Sequence, residues 1–391
     1  MQRRTDLMHD DGFLRELAAM KDEMGVVSLY VTAGPRVDPG IRPAWEIRLR
    51  DELAAIRAQV SAWPERIRRF TVLEHLDALE PEIDRLVDPS EPGIGRALFA
   101  PVCSEEIQRT SLQIPFGTCA VLESTAYVRP MLTAMATSAP AGVAVVRRDG
   151  VRLIDYRYGK AEDVFRSAYE PDTDDWREMR GPARAGTDQR SSVHRDLFRR
   201  RAEENVVRHL YAVAPEIDHR VAALRWEDVL LVGDPRLTSA LANALRPLHP
   251  VRVDKVVPDG PAADVVNRVV EELVTVRVRR DAELVQRVVD TTLSGGRAVL
   301  GPAQTLAVLN EGRVGCLLVD ENGHWRGGRG PDGFLYPADQ VPHGVVTADE
   351  PDLGERMIER ALESRAEVTI VHSHAAGALA PYGGVGALLR W

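Results

Sequence analysis

WEDVLLVGDPRLTSALANAL, residues 226–245, decides the architecture. Four apolar residues, Val229, Leu230, Leu231 and Val232, form an unbroken run of the kind that fills a strand buried on both faces. The turn Gly233-Asp234-Pro235-Arg236 follows, and Leu237 and Leu241 then recur at helical spacing. Strand, tight turn and helix in that order make one step of a parallel α/β sheet. The turn sits where such sheets bind ligands. It lacks the glycine pattern of a phosphate loop, so it reads as a plain strand-to-helix connection.

The flanks extend the same unit. GVAVVRRDGVRLIDYRYGK (142–160) contains two strands joined at Arg148-Asp149-Gly150, and Asp-Gly is a strong hairpin signal. A polar stretch over 170–189 leads to a helix expected over 191–214, with Phe198, Ala202, Val206 and Leu210 as its apolar stripe. VRVDKVV (251–257) supplies a further strand before the turn Pro258-Asp259-Gly260-Pro261. Upstream, GVVSLYVTAG (25–34) reads as a buried strand. Trp45, Leu49, Leu53 and Ile56 predict one amphipathic helix within 43–70, and RALFAPV (96–102) and the runs near Leu112 and Ala120 predict more strands. Downstream, 262–292 reads as a charged helix and 301–320 as a helix then a strand. Residues 324–334 read as a glycine-rich loop, 353–364 as a helix and 366–374 as a strand. The expected fold class is therefore α/β: three mixed α/β domains covering 1–138, 139–260 and 261–391.

Composition bounds the function. Among 391 residues, 44% are hydrophobic and 28% charged, which excludes disorder over most of the length. A formal charge of −9 argues against a surface that coats nucleic acid throughout. Three scattered cysteines, Cys103, Cys119 and Cys316, make neither a disulfide framework nor a zinc site. MQRRTDLMHDDGF carries no apolar leader core and no run reaches about 18 apolar residues, so a soluble cytoplasmic protein without a membrane segment is expected.

Charge is nonetheless local. Between Arg180 and Arg208, eight arginines stand against four acids, a +4 island on an acidic chain. Guanidinium forks suit phosphates, and Arg184, Arg190, Arg195, Arg199, Arg200 and Arg201 are the candidate contacts to a polyanion such as RNA, the alternative being a solvated helix face behind a flexible entry loop. Other constellations are weaker. His372 and His374, two apart on the expected strand, face one side without a third ligand, and Asp172, Asp174 and Asp175 lack calcium-loop spacing. No GxSxG elbow, HExxH pair or Walker lysine occurs, so no metal and no cofactor is expected.

Two segments together resemble a known family. GGVGALLRW (383–391) resembles the closing G-G-[IV]-G-[AG]-[IL]-L-R-[YW] signature of archaeo-eukaryotic class-I peptide-chain release factors and Pelota. GTDQRSSVHRDLFRRRAEENV (186–206) is similar to their middle domain, where a Gly-Gly-Gln loop precedes a serine-containing, arginine-rich helix. RLRDEL, GRALFAP, YVRP, DWREMRGPA and RDLFRRR resemble stretches of the bacterial branch of that superfamily. The resemblance implies a release-factor-like domain arrangement. It also implies the ribosome (rRNA) and tRNA as partners, with a translational GTPase at the C-terminal domain. Gly186 and Gln189 would be the catalytic residues, Gln189 helping water attack the peptidyl-tRNA ester on stalled ribosomes. The alternative within the family is a hibernation or stress factor that occupies the A site without chemistry. One departure stands out: Thr187-Asp188 places an extra residue and an acid ahead of Gln189. No Asn-Ile-Lys-Ser-type stretch is present in the first third, so stop-codon reading is not expected.

Overall fold

The computed structural model describes residues 11–34, 42–169, 188–245 and 250–391, without the side chains at 11, 188–202, 373 and 374. Compact grouping divides the chain into two units, Met1–Thr137 with Arg277–Trp391, and Ser138–Val276.

The N-terminal layer of the first unit starts with helix α1 (Asp11–Ala18) and strand β1 (Lys21–Thr32). Helices α2 (Ala44–Ser61), α3 (Arg66–Ala78) and α4 (Glu80–Val87) follow, then strands β2 (Gly95–Pro101), β3 (Gln108–Leu112) and β4 (Cys119–Thr125). The sheet order is β3-β2-β1-β4, all antiparallel. Where periodicity predicts one helix over 43–70, two form, because Pro64 cannot donate the hydrogen bond that would continue α2. Val27, Leu29 and Val31 face a core built with Leu49, Leu53, Ile56, Val72, Leu76 and Ile83. The alternate residues of β1 are buried too: Tyr30 packs edge-on against Phe99 and Phe116 at 5.6 and 5.7 Å, and its hydroxyl donates to the Tyr127 carbonyl at 2.6 Å. Burial on both faces is why 26–31 is apolar almost without interruption. Helix α5 (Arg129–Thr137) ends this layer.

The middle unit is a five-stranded sheet in the order β7-β6-β5-β8-β9. Its strands are β5 (Ala141–Arg147), β6 (Gly150–Arg157), β7 (Lys160–Ala168), β8 (Asp228–Gly233) and β9 (Val251–Val253), and its long helix α6 spans Asp188–Leu224. The Asp-Gly hairpin forms as expected between β5 and β6. The opening stretch does what its pattern demands: β8 runs parallel to β5 and β9, and α7 (Pro235–Ala244) crosses between β8 and β9. Asp234 caps α7 by accepting the Arg236 backbone N–H at 2.9 Å. Gly233 sits at φ +152°, with its missing side chain against the Val146 carbonyl, so the turn is a packing device.

Leu231, Ala144, Val146 and Leu153 face α6 and α7 on one side of the sheet. Leu230, Val232, Val143 and Ile154 face Val265, Val266, Val269 and Leu273 on the other. Those last four lie on α8 (Ala262–Asn267) and the start of α9 (Val270–Leu293). Residues 261–276 therefore pack with the middle unit, because the second sheet face would otherwise stay uncovered. Arg152 fastens this passage, donating to Asp259 at 3.0 Å and to the Gly260 carbonyl at 2.8 Å.

The C-terminal layer has the sheet order β10-β16-β11-β15, from β10 (Ala298–Leu300), β11 (Val314–Asp320), β15 (Glu367–Val371) and β16 (Val385–Leu389). Helices α10 (Pro302–Asn310) and α11 (Leu353–Glu363) accompany it. The glycine-rich 324–334 segment is not a plain loop. It contributes β12 (Gly327–Arg329) to a small antiparallel sheet with β13 (Leu335–Pro337) and β14 (Ala348–Glu350). Gly327 and Gly328 are required there, since a side chain on either would strike Tyr336 or Thr347.

Candidate nucleic-acid interface

Helix α6 is the element that carries the basic island. Its 37 residues span about 55 Å at 1.5 Å per residue. It starts within the polar stretch, three residues before the expected 191, and it runs on to Leu224 rather than stopping at 214. The extension has a visible cause. Val206, Leu210, Val213, Ala214 and Ile217 are buried at helical spacing and seat the C-terminal half on the middle sheet. Pro215 lies inside this half and leaves the Tyr211 carbonyl without its helical donor.

Polar contacts anchor the same half. His209 Nε2 meets Ser167 Oγ at 3.0 Å and its ring lies 5.4 Å from Tyr169. Arg220 stacks over Phe165 at 4.7 Å and donates to the Val164 carbonyl at 3.3 Å. Val206 is the first buried residue described on α6, about 27 Å along the axis from Asp188. On either side of it, Glu203, Glu204 and Arg208 are exposed and Tyr211 is half-exposed.

The expected site residues fall as follows. Arg184 and Gly186 lie outside the described residues. Gln189, Arg190, Arg195, Arg199, Arg200 and Arg201 lie on α6, with side chains outside the description. The helix begins at Asp188, so the backbone of Gln189 and Arg190 belongs to its first turn. Asp172, Asp174 and Asp175 lie outside the described residues. The histidine pair does not share a strand. β15 ends at Val371, His372 precedes a short helix α12 (Ser373–Ala376), and His374 is within it, which removes the two-residue strand register. His372 Nδ1 instead meets Glu321 Oε2 at 2.8 Å. Among the described residues no three His, Cys, Asp or Glu side chains assemble as a metal set. No described helix is long and apolar enough to cross a membrane.

The other motif residues occupy a buried seam within the first unit, where the N- and C-terminal layers meet. Arg129, from YVRP, donates to the carbonyls of Asp320, Glu321 and Gly323 at 3.1, 2.9 and 2.8 Å, and its guanidinium lies 5.9 Å from the Trp325 ring. Trp325 donates its indole N–H to the Gly383 carbonyl at 2.8 Å. Gly383 and Gly384, from GGVGALLRW, have φ of +77° and +75°. A Cβ on Gly384 would lie 3.3 Å from both Asp320 and Trp325. Glu355 is fully buried and accepts the backbone N–H groups of Val128 and Arg129 at 2.6 and 3.2 Å. Burial drives its pKa well above the ordinary carboxylate range. Arg356 pairs with Glu123, Glu359 and, at 3.1 Å, Glu350, and Glu359 also accepts from the Thr125 hydroxyl.

Charge pattern alone does not find this seam. Its only signal is that Glu355, Arg356 and Glu359 follow Leu353 in a helix whose apolar residues already mark one face; their burial is decided by β4.

The chain thus holds an α/β middle unit with an arginine-rich helix and a C-terminal layer closed by the Gly-Gly strand. Residues 140–271, nearly the whole middle unit, match the model of Bacterial archaeo-eukaryotic release factor family 5. The uncharacterized protein YocB of Bacillus subtilis is 21% identical over 226 residues, covering 57% of this chain and 84% of YocB. The archaeal translation termination factor aRF1 aligns over 97% of this chain and 96% of its own, at 19% identity and TM-score 0.24. A ribosome-bound archaeal Pelota, described together with ABCE1, aligns over 98% and 94%, at 14% identity and TM-score 0.41. Dom34 of S. cerevisiae aligns over 77% and 75%, at 6% identity and TM-score 0.40.

Proposed function

We propose that this chain is a cytoplasmic, ribosome-directed factor whose basic helix α6 meets rRNA and tRNA phosphates, and that it cleaves the peptidyl-tRNA ester of stalled ribosomes through Gly186 and Gln189. One observation carries the reading: the +4 island lies inside the segment that matches the release-factor family model, and its arginines from Arg190 on belong to a helix whose described side chains seat on the middle sheet from Val206 onward. The ester needs a positioned water and exclusion of other nucleophiles, which a glutamine and a backbone amide supply. A translational GTPase would meet the C-terminal layer.

A second reading has its own support. Gln189 stands in the first turn of α6 next to Asp188, an acid that phosphates repel and that lacks glycine's backbone freedom. Occupation of the A site without hydrolysis fits that placement.

Ribosomes carrying labelled peptidyl-tRNA separate the two. Under the first reading the wild type releases peptide and Gln189→Ala does not. Under the second, both proteins co-sediment with ribosomes and neither releases peptide. Binding in either case falls steeply between low and moderate salt. A chain that binds neither ribosomes nor tRNA at low salt overturns both.

A further inference from the structure

Residues 63–70, WPERIRRF, turn the corner from α2 into α3. Two large apolar side chains stand out into solvent here: Ile67 is 78% and Phe70 is 67% exposed. They are three apart on α3 and so lie side by side. Three arginines surround them. Arg68 stacks over the Trp63 ring at 4.7 Å, and Arg69 donates to the Trp63 carbonyl at 3.0 Å. Arg66 is exposed.

These cations differ from their neighbours in having no counter-ion. In the same layer Arg50 pairs with Asp84 at 2.8 Å and Glu80 at 3.4 Å, Arg57 with Asp77 and Glu80, and Arg85 and Arg109 with Glu82. Among the described residues no acid pairs with Arg66, Arg68 or Arg69. Their position sharpens the point. The first turn of α3 contains no acid and its N-cap Glu65 makes no capping hydrogen bond, so the cations crowd the positive end of a helix dipole. Helix α4, next along the chain, has the ordinary arrangement, with Glu80 and Glu82 in its first turn and Arg85 in its last. A protein of net charge −9 keeps three unpaired guanidiniums where its own helix disfavours them. An external anion relieves that cost.

The mixture selects the kind of anion. A lipid surface calls for a broad apolar face, and an acidic peptide has no use for an exposed ring. Phosphates spaced along a strand with bases between them match guanidiniums interleaved with an aromatic side chain. We propose that residues 63–70 form an RNA-binding corner on the N-terminal layer. In it Arg66, Arg68 and Arg69 take phosphates, and Phe70, flanked by Ile67, stacks on an unpaired base. This goes beyond the function proposed above: it requires neither Gln189 nor ester cleavage.

The test uses the full chain and a 20-nucleotide single strand of uridines carrying 4-thiouridine, alongside an RNA duplex of equal length. Photo-crosslinking followed by peptide mapping should place uridine adducts within 63–70, a readout that helix α6 does not supply. Phe70→Ala should weaken single-strand binding about five- to tenfold and leave duplex binding within about twofold, since only unpaired bases stack. Arg66→Glu should weaken both RNAs and lower the salt slope by about one phosphate contact. Both side chains are exposed, and unchanged thermal melting verifies the fold. Adducts confined to other segments, or Phe70→Ala and Arg66→Glu binding the single strand as wild type does, overturn the proposal. So does capture by phosphatidylglycerol vesicles, or self-association on gel filtration, that Phe70→Ala abolishes while RNA binding stays unchanged. Loss of these effects with peptide release intact leaves the ribosomal function standing and removes only this corner.

Discussion

Arg356 and Arg66 lie in the same compact unit and meet opposite surroundings. Arg356 is 2% exposed and shared among Glu123, Glu350 and Glu359, carboxylates drawn from both layers of the unit. Arg66 faces water at the positive end of a helix, and among the described residues no acid pairs with it. The seam uses charge to fasten β4 to α11, and the corner leaves charge available. Counting basic residues along the chain cannot distinguish these uses. Pairing does, because a guanidinium already held by three carboxylates has little left for a phosphate.

The largest effect that would sharpen this contrast is at the seam. Arg356→Ala should destabilise the protein by about 3–5 kcal/mol, since it strands Glu123, Glu350 and Glu359 around an emptied site. Chemical denaturation followed by circular dichroism measures it, and a loss under 1 kcal/mol would break the contrast. Gly384→Ala comes next. Its left-handed φ and its 3.3 Å approach to Asp320 and Trp325 predict a loss of about 1–2 kcal/mol, seen as a lower unfolding midpoint.

The buried Glu355 gives a pH signature. Its folded pKa is raised above its unfolded value by burial, so the neutral acid is the form that favours folding. That stabilisation is complete below the ordinary carboxylate range and is lost as pH rises toward the raised value. Melting temperatures of the wild type should therefore fall with rising pH relative to Glu355→Gln, whose neutral amide does not titrate. Equal pH profiles for the two proteins would show that the carboxyl does not titrate with folding. The smallest effect is at the corner. Arg66→Ser should change stability by no more than about 0.5 kcal/mol, as expected for an exposed side chain outside any network.

The middle unit was legible where one residue pattern answers one local demand. The run 229–232, the Asp-Gly hairpin and the Asp234 cap all act within a few residues, and each forms as its chemistry requires. Pro64 marks the break between α2 and α3 equally locally, although the apolar spacing runs through it. The glycine-rich 324–334 segment was not legible. Its β12 is a strand because β13 and β14, within the following 335–350, pair on either side of it, a pairing that no local pattern in 324–334 announces. The candidate basic helix was legible in its charge, and its full length was not, since Ile217 and its neighbours need the sheet to hold them.

The sequence by itself determined the α/β class, the order of most of its elements, the basic island at 180–208 and the motifs that resemble the release-factor family. These depend on local periodicity, turn chemistry and residue identity, which a linear chain displays. Only the tertiary structure decided that residues 261–276 complete the middle unit and that Arg129, Trp325 and Gly384 share one seam. It also decided that Arg356 is paired while Arg66 is not. Burial and charge pairing are relations between residues hundreds of positions apart, and they come into being only when the chain brings those residues within a few ångströms.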